Sequence, residues 1–178
     1  MTPHLKVYNK NMFYTISSIE PVCSKLRAEG KKIVLATGFF DLLHAEHINF
    51  LQKAKSAGDI LIVAVESDLR ARETKGEGRP VETQSVRCQH ILDLAGKLEN
   101  WKTGVLIITL PDDFNNFEAY ESLISAVKPS LYAVSEHTTH IKSKTFLVEK
   151  YGGQLQVVHA FNPDISTTKI IQSTTKQL

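Results

Sequence analysis

Short apolar runs alternate with helix-patterned segments along most of this chain, and that alternation constrains the fold more than any other feature. IVLA (33–36), ILIVAV (60–65), VLIITL (105–110), SLYAV (130–134) and LQVVHA (155–160) have the length and character of buried strands. Ser17 and Ser18 are expected to cap a first helix through Leu26 that ends at Gly30. A second runs from Ala45 to Ala57, with Ile48, Leu51 and Ala54 on one side and Gly58-Asp59 as its stop. Further helices are expected near 83–95 and 115–127, one more ends at Gly152-Gly153, and Asp164 and Ser166 can cap a last one, TTKIIQ. RARETKGEGRPVE (70–82) reads as the most loop-like stretch. Strand and helix in alternation imply an α/β fold built on a doubly wound parallel sheet. Such sheets bind ligands beyond the carboxyl ends of their strands, where strand order reverses. The loop after the first of these runs is therefore where chemistry is expected.

At 178 residues the chain suits one domain, 31–178, with 1–30 as an N-terminal extension and helix packed on it. Its 42% hydrophobic and 22% charged residues are those of an ordinary soluble protein. A net charge of +2, with basic residues scattered, argues against a nucleic-acid partner or a membrane surface. Cys23 and Cys88 stand outside any metal-finger spacing and read as reduced thiols. The N-terminus, MTPHLKVYNKNMFYTI, lacks the basic and apolar regions of a signal peptide, and no apolar run reaches the roughly 18 residues of a membrane span. A cytoplasmic protein is expected.

The segment TGFFDLLHAEH (37–47) is the first candidate for chemistry. Gly38 leaves the strand where the backbone must turn or approach a ligand closely. His44 and His47 lie three apart across a helix start and share one face of its first turn. That turn presents unpaired N–H groups and the positive end of the helix dipole, a natural phosphate site. Two imidazoles there can donate to phosphate oxygens and oppose the charge that builds as pyrophosphate leaves. A bare HxxH pair is more often a cap and a solvent-facing histidine. Zinc, with His137 and His140, lacks a signposted third ligand, so no metal ligand is assigned.

The run GFFDLLHAEHINFLQKAKSAGDILIVAVESD (38–68) resembles the signature of the cytidylyltransferase-like nucleotidyltransferases, G-x-F-D-x-x-H-x-G-H. KGEGRPV (75–81), Arg87 and STTKII (166–171) are similar to further segments of that family, in its order and spacing, from about Lys32 to Gln172. The branch most resembled is the heptose 1-phosphate adenylyltransferases, with glycerol-3-phosphate cytidylyltransferase more distant. The resemblance implies a Rossmann-like domain that moves a nucleoside monophosphate from ATP or CTP to a small phosphorylated acceptor, a sugar or polyol phosphate, with Mg²⁺ on the triphosphate. It also allows a homo-oligomer. His44 and His47 would bind the triphosphate and stabilise the transition state, and Lys75 would reach the α-phosphate. Thr37, Gly38, Phe39 and Asp68 would lie along the nucleotide, Arg87 would hold phosphate, and Ser166 and Thr167 would grip the β and γ phosphates. Asp41 would be a structural carboxylate fixing the loop. In isolation Lys75 and Arg79 read as solvated charges and Ser166 as an ordinary N-cap.

Three positions depart from the family pattern. Glu46 replaces the glycine of H-x-G-H, AVSEHTTH (133–140) replaces a lysine followed by Gly-Gly-Asp, and ATG (36–38) stands for T-N-G. No cation neighbours Glu46 in sequence. Facing a phosphate charge about 6 Å away, its carboxylate would cost ~3 kcal/mol at an effective dielectric of 20. Two readings follow: a working transferase, and a catalytically weakened nucleotide-binding or regulatory protein on the same fold.

Overall fold

The computed structural model describes residues 13–99, 101–160 and 165–175. Six parallel strands form one sheet in the order β1-β4-β3-β2-β5-β6, with helices on both faces. The strands are β1 Phe13–Tyr14, β2 Ile33–Gly38, β3 Ile60–Val65, β4 Val105–Thr109, β5 Leu131–Ser135 and β6 Gln154–His159. The helices are α1 Ile16–Ala28, α2 Ala45–Ser56, α3 Asp68–Lys75, α4 Gln84–Lys97, α5 Phe117–Val127, α6 Ile141–Lys150 and α7 Thr167–Thr175. The α/β doubly wound sheet expected from the alternation is the observed fold.

Side-chain alternation along the strands builds two cores. Leu35, Ile62, Ala64 and Tyr132 face a layer made by α1, α5 and α6, which contribute Ile19, then Leu123 and Ile124, then Leu147 and Val148. Val34, Ala36, Leu61, Val63 and Val65 face the opposite layer, where α2 supplies Phe50, Leu51 and Ala54 and α4 supplies Cys88, Ile91 and Ala95. All six residues of β3 are buried, as a central parallel strand covered on both faces requires. Cys23 and Cys88 lie in opposite layers as free thiols. Burial pushes the Cys23 thiol up to about 12 and the Cys88 thiol up to about 11. Gly58 lets α2 pass into β3, since a Cβ there would stand 2.7 Å from the Val34 side chain and 2.8 Å from the Lys32 carbonyl oxygen.

Three details differ from the sequence reading. The two-residue edge strand β1, paired with β4, carries too short a pattern to stand out. The N-cap of α1 is Thr15 rather than Ser17 or Ser18. Its hydroxyl accepts from Ser18 N–H while the Ser18 side chain accepts from Thr15 N–H, a reciprocal box that needs the i, i+3 spacing. The stretch 70–82 is not all loop, because α3 runs to Lys75, capped by the Ser67 hydroxyl. Its residues DLRARETK bury only Ala71, so α3 shows no apolar stripe to reveal it. The expected Asp164 cap lies outside the described residues, as do residues 1–12 of the N-terminal extension.

The chain passes outward from β2 through β3 to β4, then returns to place β5 on the other side of β2. Strand order therefore reverses between β2 and β5, and in sheets of this kind the ligand crevice lies beyond the carboxyl ends at that point. Thr37 and Tyr132 meet there through their hydroxyls at 2.8 Å.

Candidate active site

The loop between β2 and α2 holds two bulky residues in the left-handed region, Phe40 at φ 53° and Leu42 at φ 47°. Such conformations cost about 1–3 kcal/mol each and persist where the surroundings fix them. Asp41, only 1% exposed, supplies much of that fixing. Its carboxylate accepts from Arg79 Nε at 2.9 Å, Val81 N–H at 3.0 Å and Glu82 N–H at 3.1 Å. The Thr167 hydroxyl donates to the Asp41 carbonyl at 2.8 Å, so the start of α7 docks on the same loop.

His44 is the N-cap residue of α2, and its ring stacks on His47 with centroids 3.8 Å apart and planes 20° apart. Phe40 closes one edge of the pair, its ring centre 5.5 Å from that of His47. Both Nδ1 atoms are buried without a hydrogen-bond partner among the described residues. Buried polar atoms are rarely left so, and these sit at the first turn of a helix, whose N–H groups have no intrahelical acceptor. Burial pulls both imidazoles below their usual range, and the neighbouring His44 adds to the effect on His47, which falls to about 3. The pair is thus neutral at physiological pH and offers N–H donors rather than fixed charge.

This burial has a consequence for stability. Below pH 6.5 the unfolded chain protonates position 47, whereas the folded chain resists protonation until about pH 3. Stability is therefore lost as pH falls through that window, with a slope approaching about 1.4 kcal/mol per pH unit from this group. Urea unfolding at pH 7 and pH 5 checks it. The wild type should lose more stability on acidification than His47→Asn, and equal losses would contradict the assignment.

The other residues singled out in the sequence take distinct places. Lys75 ends α3, exposed, with its ammonium 5.7 Å from the centre of the Phe39 ring. Thr37, Gly38 and Phe39 run from the end of β2 into the crevice, where the Gly38 carbonyl accepts from Glu66 N–H at 3.0 Å. Ser166 accepts from Lys169 N–H at 3.3 Å, in the manner of an N-cap. Thr167 commits its one hydroxyl proton to Asp41, which leaves it none to donate to a phosphate. Asp68 opens α3 and binds Arg87 at 2.7 Å.

Arg87 is taken up by contacts within the fold. Its side chain is 0% exposed. Nε donates to the Glu82 carbonyl at 3.0 Å, Nη1 to the Phe39 carbonyl, and Nη2 to the Glu66 carbonyl at 2.8 Å as well as to Asp68. With those donors turned inward, the guanidinium ties together three loops around the crevice instead of presenting a face to phosphate.

Glu46 also differs from expectation. Its carboxylate lies 2.8 Å from Nε2 of His159, 113 residues away on β6. Lys53 approaches Nδ1 of the same ring at 3.3 Å. A lysine donating to Nδ1 leaves the proton on Nε2, which donates to Glu46. The carboxylate is thus hydrogen-bonded at the end of β6, with the Lys53 ammonium on the far side of the same ring.

The divergent segment 133–140 closes β5 with a turn in which Thr138 N–H donates to the Ser135 carbonyl and Glu136 N–H to that of His159. His137 on this turn is held below its usual range by burial, with Lys75 and His159 adding to the effect. It also contributes to the depression at His47. His159 and Glu66 escaped the sequence reading, and only the fold reveals their proximity to the other groups. Among the described residues, no set of three His, Cys, Asp or Glu side chains is grouped to hold a metal ion. No helix among them is long and apolar enough to cross a membrane.

A cytidylyltransferase-like family model matches residues 35–173, which include the histidine pair, Asp41, Arg87 and the start of α7. This chain belongs to the cytidylyltransferase-like family. Among curated relatives, the bifunctional protein HldE of Desulfatibacillum aliphaticivorans is 34% identical over 163 residues, covering 88% of this chain and 30% of that protein. HldE of Geobacter metallireducens is 37% identical over 145 residues, covering 82% of this chain and 27% of that protein. This cytidylyltransferase-like chain therefore spans under a third of the relatives' length. The lipopolysaccharide core biosynthesis protein from Thermoplasma volcanium has the same fold, with a TM-score of 0.53 at 24% identity over 75% of this chain and 98% of that one. Pantoate-beta-alanine ligase from Francisella tularensis shares it too, with a TM-score of 0.55 at 14% identity over 92% of this chain and 77% of that one.

Proposed function

We propose that this domain transfers a nucleoside monophosphate to a small phosphorylated acceptor and releases pyrophosphate. The observation that carries the proposal is the stacked His44–His47 pair, its buried nitrogens unpartnered among the described residues, at the start of α2 beside the strand-order reversal. Family membership supports the same reaction class. Resemblance to the heptose 1-phosphate adenylyltransferases favours ATP over CTP and a sugar phosphate as acceptor.

In this reading the triphosphate lies along the first turn of α2, where the two imidazoles and the backbone N–H groups meet its oxygens. An acceptor phosphate oxygen forms a bond to the α-phosphorus as the bond to the β-phosphate bridging oxygen breaks. The acceptor is anionic at neutral pH, so the step needs no general base. In-line positioning and charge neutralisation supply the rate. Lys75, at the mouth of the crevice, reaches the α-phosphate when the nucleotide enters. A Mg²⁺ ion, which binds phosphates with only one or two protein carboxylates, would be held mainly by the triphosphate, with the 36% exposed Asp68, whose Oδ1 accepts from Arg87, as the nearby carboxylate. Such an ion would neutralise charge on the β and γ phosphates.

The alternative of a weakened nucleotide-binding protein rests on Glu46, whose hydrogen bond with His159, backed by Lys53, turns the carboxylate toward β6 and supports the transferase reading. A melting series tests the nucleotide site itself. ATP with Mg²⁺ at a hundred times its dissociation constant should add ~2.7 kcal/mol of stability. CTP should add less. No shift with any triphosphate at millimolar concentration would overturn the site.

A further inference from the structure

A second group of polar side chains lies at the same end of the sheet, on the layer opposite α2. Glu66 follows β3 and is 9% exposed. Lys144, on α6, places its ammonium 5.4 Å from the centre of the Tyr120 ring and 5.9 Å from that of Tyr132. Tyr132 also joins this group to the crevice through its hydroxyl contact with Thr37. Among the described residues, Glu66 and Lys144 form no ion pair with each other, and neither side chain makes a hydrogen bond.

Two opposite charges in a poorly solvated place gain most by closing into contact. These two instead form no ion pair among the described residues, and the Lys144 ammonium lies against the rings of Tyr120 and Tyr132. Burial pulls the Lys144 ammonium down, with Glu66 opposing that shift. Burial pushes the Glu66 carboxyl up, while Arg70, Lys144, Lys75 and Arg87 oppose it. With no side-chain hydrogen bond to either among the described residues, each group keeps its bonding capacity. An ammonium with three donors calls for an anion, a carboxylate calls for hydroxyl donors, and a small molecule carrying both is a phosphorylated polyol.

The placement also meets the geometry of phosphoryl-type transfer, in which nucleophile and leaving group lie on opposite sides of the reacting phosphorus. The histidine pair stands on the α2 layer, where pyrophosphate would depart, while Lys144 stands on the α6 layer across the end of the sheet. We propose that Lys144 and Glu66, framed by Tyr120 and Tyr132, form the acceptor subsite, with Lys144 binding the phosphate and Glu66 the hydroxyls. The inference rests on the transfer reaction proposed above.

Calorimetry on the whole chain tests it with two probes, heptose 1-phosphate and glycerol 3-phosphate, each beside its dephosphorylated form. ATP with Mg²⁺ is titrated separately. Lys144→Met keeps the aliphatic stem and should weaken binding of the preferred phosphorylated probe by at least about tenfold, the worth of a charge-assisted hydrogen bond. It should also erase the preference for the phosphorylated form, which Lys144→Arg should restore. Glu66→Gln should weaken both forms together. ATP affinity should stay at the wild-type value in each folded variant.

Unchanged probe affinity in folded Lys144→Met, or a wild type that binds neither probe, would overturn the subsite. Loss of ATP affinity in step with the probe would overturn it as well, because the residues would then serve the nucleotide. A wild type that binds the probe through Lys144 but no nucleotide supports the subsite and separately defeats the transfer reading.

Discussion

Replacing His47 with alanine should lower kcat by about a hundredfold or more, with a much smaller change in the KM for nucleotide. His47 is buried against Phe40 and His44, and its low proton affinity keeps it neutral at physiological pH in the free protein. A neutral N–H donor interacts modestly with the ground-state triphosphate. Its interaction strengthens as negative charge accumulates on the departing pyrophosphate, so its removal falls on the transition state. Deleting the ring also opens space beside Phe40, and His47→Asn, which retains a donor, separates that packing loss from the lost hydrogen bond. His47→Asn should retain more activity than His47→Ala at equal stability. A kcat unchanged by either substitution would remove His47 from the mechanism.

The largest effect on stability is expected at Arg87. Arg87→Met keeps most of the buried volume but strips three carbonyl oxygens and Asp68 of their donor. Breaking a buried, charged hydrogen-bond set typically costs about 3–5 kcal/mol. In a domain of this size that corresponds to a fall in Tm of roughly 10 °C. The phosphate-binding role implied by sequence resemblance makes a different prediction, in which nucleotide affinity falls while Tm stays put. Melting curves and nucleotide titrations on the same preparation distinguish the two. An unchanged Tm with sharply weakened nucleotide binding would show that Arg87 leaves its buried contacts to meet phosphate.

The contrast between these residues shows what sequence reveals here. β3 was legible because burial on both faces demands an unbroken apolar run, and α2 because its apolar residues recur at helical spacing. α3 was not, because an exposed helix has no need of an apolar stripe. The turn that opens α2 could be read from Gly38, His44 and His47, which lie close together along the chain. The pairing of Glu46 was hidden because its partner is 113 residues distant, and contact at that range depends on the β5–β6 register. The inward turn of Arg87 was hidden for a similar reason: its four acceptors come from Phe39, Glu66, Asp68 and Glu82, which only the folded loops bring to one point. Residue type and order suggested the chemistry, while burial and partners decide which groups remain free to perform it.

The central claim is nucleotidyl transfer, and the most direct measurement is phosphorus NMR of the protein incubated with ATP, Mg²⁺ and a pool of sugar and polyol phosphates. Pyrophosphate and a nucleoside diphosphate joined to the acceptor, a disubstituted pyrophosphate, should appear together in equal amounts, only when nucleotide and acceptor are both present, and His47→Ala should suppress both signals. Bound nucleotide that yields neither product with any acceptor, in ATP or in CTP, would contradict the account.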